Sequence, residues 1–246
     1  MPLDAEIRLR ERADRLNESY RHHSAVAVMS RALGDPDVGP IALVSSFGAE
    51  SIVLLHMLSV MDRHAPVLFL ETGMLFPETL TYQREVAERL NLTDMRVIRP
   101  DSADLFKADP EGDLNGRDPD ACCALRKTRP LELALRGFDG WITGRKRFQG
   151  GTRAALDFFE AEGGLLKVNP LAHWEPADVA DYMTNNRLPR HPLVAMGYPS
   201  IGCAPCTSRV APGEDPRSGR WRGRAKTECG IHFVNGRPVP AATVAG

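Results

Sequence analysis

Apolar and polar residues alternate along this chain in two rhythms. From residue 5 to 33, Ile7, Leu9, Ala13, Leu16, Tyr20, Val26, Met29 and Leu33 recur between charged positions at helical spacing. The pattern predicts amphipathic helix with a break, ending near Gly34-Asp35-Pro36. Beyond it, short continuous apolar runs alternate with longer periodic stretches. Ile41–Ser45, Val67–Glu71, Met95–Ile98, Trp141–Thr143 and Leu165–Val168 predict strands. Ser51–Met61, Pro77–Leu90 and Ala121–Leu135 predict helices, with Pro77 suited to a first helical turn. Continuous apolar strands alternating with helices argue for an α/β fold, a mainly parallel sheet covered on both faces. Ligands in such sheets bind beyond the carboxyl ends of the strands. Three unusual loops fall there: Ser45–Ser51, Glu71–Gly73 and Gly144–Arg153.

Length and composition add bounds. The 246 residues suit one α/β domain over 1–210, including the helical segment 1–36, and a segment 211–246 of different character. In that segment Gly213, Gly219, Gly223, Gly230 and Gly236 punctuate basic sequence without periodicity, so it is expected to be a mobile tail. Apolar content of 43% and charged content of 26% are ordinary for a globular protein. A net charge of −1 predicts no global attraction to nucleic acid or to an anionic membrane. No apolar run approaches the roughly 18 residues that span a bilayer, and the N-terminus lacks a basic-then-apolar signal pattern. A cytoplasmic location is expected, so the five cysteines read as ligands or reactive thiols before disulfides.

Four of them form two pairs, Cys122-Cys123 and Cys203-Ala204-Pro205-Cys206. Adjacent cysteines close only a strained ring, whereas two pairs can offer four thiolates to one site. A redox C-x-x-C beside two core cysteines remains open, although a Gly/Pro loop is not the setting of a thioredoxin-like motif. Zinc remains open too; the vicinal pair tilts the reading towards an iron–sulfur cluster.

The loop Ser45-Ser46-Phe47-Gly48-Ala49-Glu50-Ser51 joins a strand to a helix through small residues, a setting in which backbone N–H groups and hydroxyls face an anion. It lacks the Lys-Ser/Thr pair of a Walker A loop, and an ordinary tight turn would look similar. In Thr143-Gly144-Arg145-Lys146-Arg147 with Thr152-Arg153, four cations follow a strand end, where arginine forks match sulfate and phosphate oxygens. A solvated basic loop is the plain alternative. In the tail, Arg217, Arg220, Arg222, Arg224 and Lys226 precede Glu228-Cys229-Gly230-Ile231-His232. Cations stabilise a thiolate, so Cys229 reads as the reactive cysteine rather than a stray one.

Taken together, these residues resemble the assimilatory adenylylsulfate/phosphoadenylylsulfate reductase family, from about residue 41 to 232. The pieces are the serine loop, Glu71-Thr72-Gly73, Cys122-Cys123 with Lys127, Cys203-Ala204-Pro205-Cys206 and Glu228-Cys229-Gly230-Ile231-His232. The cysteine pairs combined with the Glu-Cys-Gly-Ile-His ending are highly specific.

The resemblance implies an adenine-nucleotide α-hydrolase-like (PP-loop) fold and a [4Fe-4S] cluster on Cys122, Cys123, Cys203 and Cys206. It implies reduction of adenosine 5′-phosphosulfate to sulfite and AMP, since members with all four ligands are similar to the reductases using that substrate. Cys229 is then the nucleophile that forms an S-sulfocysteine. Thioredoxin or a similar dithiol is the donor, within sulfate assimilation and cysteine biosynthesis. Lys127, four residues beyond Cys123, is expected one helical turn on, between cluster and sulfate. His232 joins Cys229 and Lys127 as catalytic. Ser45, Ser46, Phe47, Gly48, Ser51, Glu71, Thr72, Gly73, Gly144, Arg145, Arg147, Arg153, Arg217 and Arg220 are the expected substrate contacts. The Gly144–Arg153 loop departs from the family's commoner version. Competing readings are a phosphoadenylylsulfate reductase, an ATP-dependent sulfurtransferase or pyrophosphatase on the same fold, and a cysteine–zinc binding protein. A homo-oligomer is compatible with the sequence.

Overall fold

The amphipathic start forms two helices, α1 (Leu3–Tyr20) and α2 (Ala25–Gly34), in the computed structural model, which describes residues 3–36, 38–150, 153–224, 226, 228, 231, 233–234 and 237–238. The break between them is a cap: the Ser24 hydroxyl accepts the Ala27 N–H at 3.2 Å. The chain then alternates β1 (Ile41–Ser45), α3 (Ile52–Met61), β2 (Val67–Leu70), α4 (Pro77–Arg89) and β3 (Met95–Ile98). Short helices follow: α5 (Ser102–Ala108), α6 (Leu114–Arg117) and α7 (Pro119–Cys123). A π-helical turn over Ala124–Thr128 runs from α7 into α8 (Arg129–Ala134). Next come β4 (Gly140–Ile142), β5 (Phe159–Glu162), β6 (Leu165–Val168), α9 (Pro176–Asn185) and α10 (Pro192–Ala195). A small antiparallel pair, β7 (Phe233–Val234) and β8 (Arg237–Pro238), lies near the end.

The main sheet has the order β3-β2-β1-β4-β6-β5. All its pairings are parallel except β5–β6. Side-chain alternation divides it between two cores. Ile41, Leu43, Val67, Phe69, Ile142, Leu166 and Val168 pack on one face with α3 and parts of α1, α2 and α4. Ala42, Leu68, Leu70 and Trp141 pack on the other with Leu131 of α8 and Leu135. Strands covered on both sides must be apolar at nearly every position, which is why they read as continuous runs. The strand order reverses between β1, which leads to β2, and its other neighbour β4. That switch opens a crevice at the carboxyl ends of β1 and β4, where the serine and arginine loops emerge.

Three elements go beyond the sequence expectation. β5 is an antiparallel edge strand, joined to β6 through Gly163 (φ 62) and Gly164 (φ 84), the positive-φ pair of a tight hairpin. α9 and the turn after it join the larger core through Val179, Met183 and Leu188, and Leu193 of α10 is buried. Residues 207–221 fold back on the body: Thr207 bridges Arg220, Val210 N–H donates to Gly197 O at 2.9 Å, and Trp221 is buried. Among the described residues, no helix is long and apolar enough to cross a membrane.

Candidate active site

The serine loop is shaped by a residue that leaves it. Phe47 sits at φ 49, a left-handed conformation that costs an aromatic residue energy. Burial holds it there: Phe47 is fully buried, edge-on to Phe69 at 5.2 Å, and its N–H donates to Ser45 Oγ at 3.1 Å. The Phe47 side chain faces the core and anchors the loop there. Ser45, Ser46, Gly48 and Ser51 instead line a cavity of about 570 Å³ at the carboxyl ends of β1 and β4. Thr72, Lys127, Gly144, Arg145, Arg153, Cys203, Arg217, Arg220 and Glu228 share its wall. Its size lies within the usual range for a small-molecule site.

Each cation of the arginine loop has found a carboxylate or a carbonyl. Arg145 pairs with Glu160 of β5, and Thr143 Oγ1 donates to Asn169 Oδ1 at 2.8 Å beside it. Lys146 is buried; its Nζ donates to Glu50 Oε2 at 2.7 Å and to Gly144 O at 3.0 Å. Burial lowers the Lys146 pKa, with Glu50 opposing and the charges of Arg153 and Arg217 assisting. Arg153 holds Glu228 by two bonds, Nε to Oε1 at 2.7 Å and Nη2 to Oε2 at 2.6 Å, and bonds Gln149 through Nη1. Arg147 turns away to Leu156 O at 2.5 Å and Asp157 Oδ1 at 3.1 Å, outside the cavity wall. Glu71 and Gly73 are also outside it; the Glu71 carboxylate accepts Gly73 N–H at 2.7 Å and Arg99 Nε–H at 3.0 Å, shaping the turn that presents Thr72.

A group the sequence analysis passed over is Lys167, fully buried in β6 and lining the cavity. It donates to Glu162 Oε2 at 2.6 Å and lies 4.6 Å from the Trp141 ring centroid. Desolvation pushes its pKa down to about 8, with Arg145 adding to the effect. The signal was available: one lysine interrupts the apolar run Leu165-Leu166-Lys167-Val168.

The cysteines arrive on two elements. Asp118 caps α7 by accepting the Asp120 and Ala121 N–H groups at 3.1 and 2.9 Å, with Pro119 in the first turn. Past Cys123 the helix widens into the π turn, a form frequent at functional sites. The expected one-turn spacing from Cys123 to Lys127 assumes 3.6 residues per turn, so the wider turn changes that register. It buries Arg126, which donates to Thr72 O at 3.0 Å and Asp109 Oδ2 at 2.7 Å, while Lys127 lines the cavity. The loop with Cys203 and Cys206 is fixed from the other side by Ala204 N–H to Met74 O at 2.8 Å.

Cys122, Cys123 and Cys203 are buried, Cys206 is half-buried, and none of the four forms a disulfide. Thr72 Oγ1 lies 3.3 Å from Cys203 Sγ. Burial pushes the Cys122 thiol up to about 11; the charge of Cys123 adds to this, Arg126 opposes it, and Cys203 and Cys206 contribute further. Cys206 is raised by burial and by Cys203, against Lys127, Arg224 and Arg220. The charges of the two pairs thus act on each other. Among the described residues, no three His, Cys, Asp or Glu side chains are gathered as the ligands of a single metal ion. Cys229 and His232 lie outside the described residues.

A family profile described as "Phosphoadenosine phosphosulfate reductase domain" matches residues 40–209. The adenosine 5′-phosphosulfate reductase of Mesorhizobium japonicum is 50% identical over 230 residues, covering 94% of this chain and 91% of that protein. The phosphoadenosine 5′-phosphosulfate reductase of Gloeobacter violaceus is 42% identical over 220 residues, covering 87% and 90%. The crystal structure of the phosphoadenylyl-sulfate reductase from Candida auris, a phosphate complex, matches with a TM-score of 0.68 and 28% identity over 80% of this chain and 96% of that one. The profile spans the sheet, the serine loop and both cysteine pairs, and the likeness of fold agrees with the likeness of sequence: the chain is an enzyme of the adenylylsulfate/phosphoadenylylsulfate reductase family.

Proposed function

We propose that this chain reduces adenosine 5′-phosphosulfate to sulfite and AMP. The observation that carries the reading is an anion-suited cavity whose wall includes Thr72, Lys127 and Cys203, one of four cysteines that form no disulfide. Serine hydroxyls, Arg217 and Arg220 offer donors for phosphate and sulfate oxygens, which an arginine fork fits well.

The donor set fits a [4Fe-4S] cluster. Burial and neighbouring thiols raise the pKa values of Cys122 and Cys206, so these two need positive charge beside them to ionise, and four cysteines are the usual ligands of that cluster. Cys122, Cys123, Cys203 and Cys206 would hold it, and when bound it supplies a fixed, compact charge centre beside Lys127. The complete cysteine set supports adenosine 5′-phosphosulfate over its 3′-phosphorylated form.

The steps are thiol chemistry. The Cys229 thiolate attacks the sulfate sulfur; an S–S bond forms, the S–O bond to phosphate breaks, and AMP leaves with that electron pair. Lys127, Arg217 and Arg220 offset charge on the departing phosphate and on the sulfonate oxygens. A donor dithiol such as thioredoxin then attacks Cys229 Sγ, and sulfite leaves with the S–S electron pair. The donor's second thiol resolves the mixed disulfide, so the donor is oxidised by two electrons and Cys229 returns as a thiolate. This chemistry belongs to sulfate assimilation and cysteine biosynthesis in the cytoplasm.

The test is sulfite and AMP release from each nucleotide by anaerobically purified protein, with a dithiol donor. A higher kcat/KM for adenosine 5′-phosphosulfate is expected. A comparable or higher value for the 3′-phosphorylated form, or pyrophosphate release from ATP, would sink the proposal. Iron and acid-labile sulfide should be found together; zinc in their place contradicts the cluster.

A further inference from the structure

We propose that the indole N–H of Trp141 is a hydrogen-bond donor to the terminal oxyanion of the bound nucleotide, the sulfonate that passes to a thiol. The proposal deepens the reading of the chain as an adenosine 5′-phosphosulfate reductase and rests on it for the identity of that group. Two indole N–H groups on the cavity wall, those of Trp141 and Trp221, are buried and meet no acceptor among the described residues. Trp221 belongs to the tail, beside Arg220. Trp141 is fixed in the sheet, between Ala42 of β1 and Lys167 of β6, and is 4% exposed. A buried N–H without an acceptor costs stability, so a fold keeps one where a ligand completes it. An indole N–H can only donate, which suits an oxyanion.

The sheet decides which part of a nucleotide meets this group. Trp141 packs on the face covered by Leu131 of α8 and Leu135. α8 continues directly from the π turn that carries Lys127, and Lys127 shares the cavity wall with Trp141. Ile231 of the tail packs against the same cluster and lines the same cavity. The serine loop leads instead into α3 on the opposite face, where Phe47 anchors it. A nucleotide whose phosphate sits at the strand ends therefore turns its reactive end to the cysteine side, which is the side of Trp141. Lys167 lies behind the ring: Nζ is 4.6 Å from the centroid and donates to Glu162 Oε2 at 2.6 Å. The cation holds the ring and draws electron density from its face, which leaves the N–H a stronger donor. Trp141 acts alongside the arginines of the wall, which supply charge, while its single N–H supplies direction.

Binding of ADP and of AMP decides the matter without turnover. The terminal phosphate of ADP copies the tetrahedral oxygens of the sulfonate and does not react with a thiol, whereas AMP lacks the group. Trp141→Phe keeps an aromatic ring and removes the N–H. In calorimetric titrations of anaerobically purified protein, the substitution should raise the Kd for ADP roughly tenfold, the scale of one hydrogen bond to a charged group, and leave that for AMP within about twofold. Should Trp141→Phe fold poorly, NMR of wild type with isotope-labelled tryptophan carries the same comparison. Of the three indole N–H signals, assigned with Trp174→Phe and Trp221→Phe, that of Trp141 should move on adding ADP and hold nearly still with AMP.

The proposal is overturned if ADP and AMP weaken alike, if neither affinity changes, or if the Trp141 signal moves equally with both ligands or with neither. Wild-type protein that releases sulfite from neither adenosine 5′-phosphosulfate nor its 3′-phosphorylated form would defeat the functional reading alone, because the difference between ADP and AMP still decides whether Trp141 holds the terminal oxyanion.

Discussion

The carbonyl of Cys206 accepts the backbone N–H of Trp221 at 3.0 Å. One residue back on the tail and one forward from the cysteine, Arg220 bridges Thr207, and Ser208 N–H donates to Gly219 O at 2.9 Å. The tail therefore begins as a partner strand to the segment leaving the cysteine loop. Trp221 pins the junction: it is 3% exposed, sits at φ 49, and its ring has Arg220 at 4.4 Å and Lys226 at 5.8 Å.

Trp221→Ala should therefore act on both sides of the junction. Removing a buried tryptophan side chain typically costs roughly 3–5 kcal/mol, and the strained backbone loses the packing that holds it. Urea unfolding should show that loss, and Cys206 in the metal-free protein should react faster with a thiol reagent. A loss below about 1 kcal/mol would mean the site collapses around the gap and the tryptophan is not the pin.

Gly202→Ala should separate binding from stability. A Cβ at Gly202 would fall on the Arg220 guanidinium. That is the free end of a long side chain, so the fold should lose little, but Arg220 must leave the place it holds on the cavity wall. KM for the nucleotide should rise roughly tenfold, about 1.4 kcal/mol of binding, with the unfolding midpoint nearly unchanged. An unchanged KM would show that Arg220 does not read the substrate from this position.

Most of the sheet could be read from the chain because its central strands are covered on both faces, leaving runs such as Val67-Leu68-Phe69-Leu70 with no polar break. β5 could not be read that way: an edge strand carries Glu160 and Glu162, and only the Gly163-Gly164 turn announces it. The site divides along the same line. Residue types at strand ends located the cavity, since Ser46, Thr72 and Gly144 follow β1, β2 and β4. Which way a side chain points depends on backbone angles that composition does not carry. Phe47 turns inward at positive φ and Arg147 turns out to Asp157. Partners far apart in sequence were also hidden: nothing local to Arg153 reveals Glu228.

The two cysteine classes should separate by iron content. Cys203 lies beside Thr72 and in the field of Cys122, so Cys203→Ser should lose iron, sulfide and brown colour together. Cys229 stands outside both pairs, so Cys229→Ser should keep its iron and release no sulfite. An unactivated hydroxyl stays protonated near neutral pH, whereas a thiol among cations ionises. Intact mass after mixing wild type with substrate alone should show one added SO₃ on Cys229. An adduct on any other cysteine contradicts the mechanism.

Away from the site, His191 should make this fold sensitive to mild acid. It caps α10: Nδ1 accepts the Leu193 N–H at 3.2 Å, so the neutral ring carries its proton on Nε2, which donates to Thr79 Oγ1 at 3.1 Å. The ring is 1% exposed and packs 4.6 Å from Tyr82. Burial pushes its pKa down to about 4, opposed only by the charge of Glu78. Protonation would place a hydrogen on Nδ1, facing the amide it now accepts. The unfolded chain takes up this proton near the ordinary histidine value of 6.5, whereas the native state resists until about 4. Between those values the unfolded state binds more protons, so stability falls as pH is lowered through that window and is unaffected by this residue above it. A single such group contributes at most about 1.4 kcal/mol per pH unit. His191→Asn keeps an N-cap acceptor but cannot titrate. The variant should be less stable than wild type at pH 7, through lost packing, yet decline less steeply down to pH 4. Urea unfolding of both proteins across that range measures the difference, and parallel profiles would show that His191 takes up its proton without disturbing the fold.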